Sequence, residues 1–130
     1  MMATPPLRSP LGRAIGLGSA KEGLGHWWAQ RITALALVPL ALWFVVAVVE
    51  LAGADRAMVV AWVRQPLPAV LLVSLLIATF YHGALGLQVV IEDYIKNDAL
   101  RFGLVIIMRL LAIVFVLRGI FAVIKLSLGA

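Results

Sequence analysis

From Ile32 to Val49 the chain runs for 18 residues without a charged side chain, bounded by Arg31 and Glu50. As a helix this run is roughly 27 Å long, enough to fill most of a ~30 Å hydrocarbon core. In hydrocarbon, backbone amides find no water, so a run of this length is held to the one local structure that satisfies its own N–H and C=O groups. A second run, Leu67 to Ile91, has 25 residues and no full charge; its strongly polar members are His82 and Gln88. At roughly 37 Å it is expected to tilt, and Pro66 and Pro68 suit its first turn, where a missing N–H costs little. A third run, Phe102 to Leu128, carries Arg109, Arg118 and Lys125 but reads as one span. Pro39 inside the first run is expected to kink it.

Composition points the same way. Of 130 residues, 64% are hydrophobic and 13% charged, too little charge to cover a water-soluble domain. The expected fold is an all-α membrane protein of one domain with three transmembrane helices. Residues 1–25, rich in Gly, Pro and Ser, are expected to form an irregular N-terminal cytoplasmic arm, and residues 26–130 a three-helix anchor with spans at about 30–51, 66–92 and 102–127. The polar or Gly/Pro-containing residues ahead of a long first run do not resemble a cleaved signal peptide.

The net charge of +5 does not form a nucleic-acid patch, because the basic residues sit between apolar runs or at the N-terminus without aromatic interleaving. Its distribution sets orientation instead. With the N-terminus inside, Arg8, Arg13, Lys21, Arg31, Lys96 and Arg101 face the cytoplasm, against Arg56, Arg64 and Lys125 outside. The expected topology is N-inside and C-outside, with the loop Glu92–Arg101 cytoplasmic. The absence of cysteine excludes disulfides, thiol catalysis, thiolate ligation of haem and iron–sulfur clusters held by this chain. No nucleophile–base constellation, phosphate loop or zinc cluster is present in the sequence.

The polar residues inside the spans carry the functional signal. His82 lies nine residues before Ile91, roughly 13 Å from the cytoplasmic end of its helix. An ionisable group at that depth is costly and marks function by default. Ser74, Ala78, His82 and Gly86 share one helix face at intervals of four, small except for the histidine, and Gly83 lies beside them. Such a face leaves room for a flat macrocycle, and neutral imidazole is a usual axial ligand of haem iron. The same stripe also suits close helix packing, with the histidine hydrogen-bonding across the contact, or a proton or ion pathway. If His82 ligates haem, a six-coordinate iron needs another ligand: His26 is too far along the axis, and Met58 and Met108 are poorly placed, so that ligand comes from another chain.

His26 and Arg31 flank a tryptophan pair, Trp27-Trp28. They are either interfacial anchors or partners for an anionic group such as a haem propionate. Glu92-Asp93-Tyr94 is either a solvated helix end or a quinone contact, with the Tyr94 hydroxyl on a carbonyl and Asp93 in proton uptake. Arg109 and Arg118 either snorkel or face another subunit, and no chemistry is assigned to them.

The string Tyr81-His-Gly-Ala-Leu-Gly-Leu-Gln-Val-Val-Ile-Glu-Asp-Tyr94 resembles the second-helix signature of the succinate dehydrogenase hydrophobic membrane anchor family, the D subunit of respiratory complex II. That signature reads approximately His-x3-Gly-x3-Val-x2-Asp-Tyr, met here by His82, Gly86, Val90, Asp93 and Tyr94. The segment Ser19 to Ala34 is similar as well. The resemblance implies a subunit that is not catalytic by itself, and it places the chain in a bacterial inner membrane. It pairs with a cytochrome b anchor subunit as half of a heterodimeric six-helix bundle, beside an iron–sulfur subunit and a flavoprotein subunit. It further implies haem b, shared with the partner anchor, and ubiquinone as substrate. His82 then resembles the ligand of the haem iron, with Gly86, Arg31 and His26 near the cofactor, and Tyr94 and Asp93 resemble quinone-binding residues. Glu92, Arg109 and Arg118 depart from that pattern. The alternatives are the anchor of a quinol:fumarate reductase, or a membrane scaffold or transporter subunit without redox chemistry.

Overall fold

The computed structural model describes residues 21–129. These form four helices in chain order: α1 (Lys21–Glu50), α2 (Arg56–Val63), α3 (Pro66–Tyr94) and α4 (Asp98–Leu128). Three of them, α1, α3 and α4, are long and apolar enough to cross a membrane. At 29 to 31 residues each they reach roughly 43 to 47 Å, so their ends extend past the hydrocarbon into the headgroup region.

The helix ends lie further out than the apolar runs alone indicate. The first helix begins at Lys21, inside the stretch expected to be irregular; residues 1–20 of that expected arm lie outside the described residues. It continues through Pro39 as one helical element. The loop expected over Glu92–Arg101 is mostly helical and shrinks to Ile95–Asn97. Asn97 causes this. Its Oδ1 accepts from the Leu100 backbone N–H at 3.0 Å, an N-cap that starts α4 four residues before the apolar run. Asp98 in that first turn pairs with Arg101 at 2.6 Å, where a carboxylate also favours the helix N-terminus. At the far end Gly129 takes φ +82°, the left-handed C-terminal turn that glycine adopts without a Cβ penalty.

The connection between the first two spans also holds a helix that hydropathy does not announce. Asp55 caps α2 by accepting from the Met58 N–H at 2.8 Å. Trp62 of α2 then stacks on Trp43 of α1, with centroids 5.8 Å apart, while Val63 is buried. Gly53, at φ +82°, turns the chain between α1 and α2.

The three spans form a row rather than a closed bundle. The middle helix α3 packs against α1 on one side and α4 on the other, and α1 and α4 do not pack on each other. Phe80 of α3 stacks with Phe115 of α4 at 6.0 Å. Among the described residues only Ala47, Val63 and Leu85 are buried hydrophobic side chains. Large apolar groups such as Leu35, Phe102 and Phe121 are about 70% exposed or more. Open faces of this size are stable against lipid or another subunit, not against water.

The α3–α4 contact is close at Gly119. A Cβ placed there would meet Leu76 Cδ1 at 2.9 Å. The Leu76 methyls can swing away from one added carbon but not from a branched side chain. Gly119→Ala is therefore expected to be near neutral, and Gly119→Leu to cost about 1–3 kcal/mol through overpacking. Thermal inactivation of the detergent-purified protein compares the two; equal stability of Gly119→Leu and wild type would refute the close approach.

Candidate functional site: the α1–α3 face around His82

The site is built on the contact between α1 and α3. On α1, His26, Gln30 and Thr33 recur at intervals of four and three, so they share one face. All three are half-buried. Opposite them stands the small-residue stripe of α3. An added Cβ on Gly86 would lie 3.5 Å from Gln30 Nε2, so the glycine lets that amide sit against the α3 backbone. One turn earlier, His82 Nδ1 is 3.0 Å from Thr33 Oγ1. The stripe therefore serves helix packing, and His82 hydrogen-bonds across it. The bond engages Nδ1, the one side-chain hydrogen bond of His82 among the described residues.

Thr33 is held in turn by its own helix. Its Oγ1 lies 2.7 Å from the Ala29 carbonyl and 3.1 Å from that of Gln30, the back-bonding geometry of a helical threonine. Two nearby polar atoms stay unmatched. His26 Nε2 and Gln30 Oε1 are buried without a hydrogen-bond partner among the described residues. Each unmet group of this kind costs about 1–3 kcal/mol, which favours a bound group or water reaching this face.

Other expected site residues lie apart from this cluster. Arg31 points away from the α1–α3 contact; its guanidinium sits 4.7 Å from the Trp27 ring centroid, a cation–π pair on the exposed side of α1. Asp93 and Tyr94 occupy the last turn of α3, both exposed, with Tyr94 at 80%. Twelve residues separate Tyr94 from His82, roughly 18 Å along the helix. The chain thus carries two polar stations on α3, one within the span and one at its end, that do not touch. At Gly83 an added Cβ would meet nothing within 4 Å, and this glycine lines a groove between α3 and α4 with Phe80, Leu104 and Met108.

Arg109, to which the sequence assigned no chemistry, has a partner within the chain. It donates to Gln88 Oε1 of α3 at 2.5 Å, and Gln88 Nε2 donates to Glu92 Oε1 at 2.6 Å. The amide relays between a cation within one span and a carboxylate at the end of the next, which lowers the cost of the arginine at that depth. A groove between α3 and α4 runs beside it, lined by Tyr81, Ala84, Leu85, Gln88, Arg109 and Ile113. Thr33 and Gln30 were not singled out from the sequence. The available signal was that Thr33 is the one hydroxyl in the Ile32–Val49 run and follows Gln30 by three positions.

Comparison with known proteins identifies the family of the chain. Residues 5–117 match the family model described as succinate dehydrogenase/fumarate reductase transmembrane subunit. A succinate dehydrogenase hydrophobic membrane anchor subunit of Rickettsia bellii is 37% identical over 120 residues, covering 92% of this chain and 96% of that protein. The same-named subunit of Paracoccus denitrificans is 29% identical over 122 residues, 94% of each chain. A succinate dehydrogenase membrane anchor subunit of Reclinomonas americana is 26% identical over 96 residues, 72% of this chain and 80% of that protein. No solved structure matches the chain significantly.

Proposed function

The chain belongs to the succinate dehydrogenase/fumarate reductase transmembrane subunit family, and from that premise we propose that it anchors a succinate dehydrogenase in the membrane, ligates haem b through His82 and forms part of the ubiquinone-reduction site. It is a multi-pass membrane protein. The observation that carries the redox reading is the state of His82: an imidazole within the middle span, tied down at Nδ1 and uncommitted at Nε2 among the described residues.

That donor set fits a haem. Iron takes neutral imidazole nitrogen, and the unmatched His26 Nε2 is a polar atom suited to a carboxylate. His82 would hold the iron, with His26 toward the propionates and Gly86 keeping α1 close. When bound, haem b supplies a one-electron carrier within the membrane. A second ligand would come from the partner anchor, because His26 is the one other histidine and lies on α1 seven residues, roughly 10 Å, before Thr33. The open row of spans accepts three partner helices as half of a six-helix bundle.

At the end of α3, the Tyr94 hydroxyl donates to a quinone carbonyl, and Asp93 takes part in the proton uptake that quinone reduction requires. The chain orients the quinone and is not catalytic by itself; electrons arrive from flavoprotein and iron–sulfur subunits. Asp93 and Tyr94 then face the cytoplasmic side, with the N-terminus cytoplasmic and the C-terminus periplasmic in a bacterial inner membrane. This orientation follows from the basic residues flanking the spans. The alternative, the anchor of a quinol:fumarate reductase, runs the same path in reverse.

Purification of a tagged chain from native membranes, followed by mass identification, tests the assignment. The expected companions are a flavoprotein, an iron–sulfur protein and a second small membrane anchor. Recovery without any of them would contradict it.

A further inference from the structure

We propose that Thr33 is the positioning residue for His82, fixing the imidazole as its Nδ1–H tautomer so that Nε2 is the nitrogen that meets the iron. This rests on the haem reading above. Thr33 Oγ1 has one hydrogen and three close neighbours: the Ala29 carbonyl at 2.7 Å, the Gln30 carbonyl at 3.1 Å and His82 Nδ1 at 3.0 Å. A carbonyl oxygen can only accept. Two oxygens 2.7 Å apart with no hydrogen between them repel, so the hydroxyl proton lies toward Ala29. The hydroxyl then has only lone pairs to offer His82, and Nδ1 must be the donor.

In neutral imidazole one nitrogen carries the hydrogen and the other the lone pair. With Nδ1 protonated, the lone pair is on Nε2. The tautomer is thus set by α1 backbone geometry, through a side chain whose rotamer is pinned to its own helix. Helical back-bonding, costly to α1 alone, here converts a donor hydroxyl into an acceptor. Outer-sphere hydrogen bonds of this type orient a ligating histidine and raise its basicity. A more basic imidazole favours ferric over ferrous iron, so the bond lowers the haem potential.

The test uses the purified whole complex with four chains compared: wild type, Thr33→Val, Thr33→Ser and His82→Ala. The readouts are the rate of haem loss to an excess haem scavenger and the haem midpoint potential. Thr33→Val, close in size but without the hydroxyl, is expected to lose haem about tenfold faster and to shift its potential positive. Thr33→Ser keeps the hydroxyl and is expected to stay within about twofold of wild type. Should Thr33→Val fail to assemble, Thr33→Ala removes the hydroxyl without adding bulk and is held to the same result. Thr33→Val indistinguishable from wild type in both readouts, or Thr33→Ser as impaired as Thr33→Val, overturns the role of Thr33 alone. Haem retained normally in His82→Ala overturns the haem reading, and the Thr33 role with it.

Discussion

His82→Ala is expected to strip haem b from the purified complex. Loss of an outer-shell partner weakens metal sites by about 10–100-fold, and loss of a ligand to the iron itself exceeds that. The haem-to-flavin ratio, read by pyridine haemochrome against acid-extractable flavin, should fall by about tenfold or more. Folding is not expected to account for this. His82 is half-buried and joins α3 to α1 through one hydrogen bond, and interhelical bonds of this kind in membranes contribute only about 0.6 kcal/mol on average. The mutant complex should therefore assemble with its soluble subunits attached. A normal haem ratio in that complex would contradict ligation by His82.

Tyr94→Phe is expected to have the next largest effect, confined to quinone chemistry. Tyr94 is 80% exposed at the end of α3 and makes no side-chain hydrogen bond among the described residues. Removing its hydroxyl therefore costs the fold almost nothing. A hydrogen bond to a group gaining negative charge contributes about 1.5–3 kcal/mol, so quinone reduction should slow roughly 10–100-fold. Electron transfer from succinate to a soluble dye, which bypasses the membrane, should be unchanged. Equal loss in both assays would remove Tyr94 from the quinone site.

Much of this was legible in the sequence because hydrocarbon imposes so strong a constraint. Runs such as Ile32–Val49 have one local solution, and the three spans followed from them. The motif from His82 to Tyr94 pointed to the family, and the family model and relatives bear out the family. What hydropathy missed was set by single polar side chains acting locally. Asn97 starts α4 at Asp98 and Asp55 starts α2; neither cap alters an apolar average. Trp62 contributes no periodicity over an eight-residue helix, yet its stack on Trp43 fastens that helix to α1.

At the candidate site, His82 was conspicuous because it was out of place in a span. Its neighbour Thr33 was not, since a lone threonine in a membrane helix satisfies itself against the preceding turn. Only packing α1 against α3 gives that hydroxyl a second partner. The two readings of the small-residue stripe, close packing and a ligand face, also looked like alternatives in one dimension. In three dimensions Gly86 accommodates Gln30 while His82 reaches Thr33 through one nitrogen and keeps the other. Arg109 gained its partner Gln88 in the same way, across a contact 21 positions apart in the chain.

The most direct measurement is the dithionite-reduced minus oxidised absorbance spectrum of the wild-type complex purified through this chain. A b-type haem signal at about one haem per flavin, absent from the His82→Ala complex, is the expected result; a purified complex with flavin but no haem signal would contradict the account.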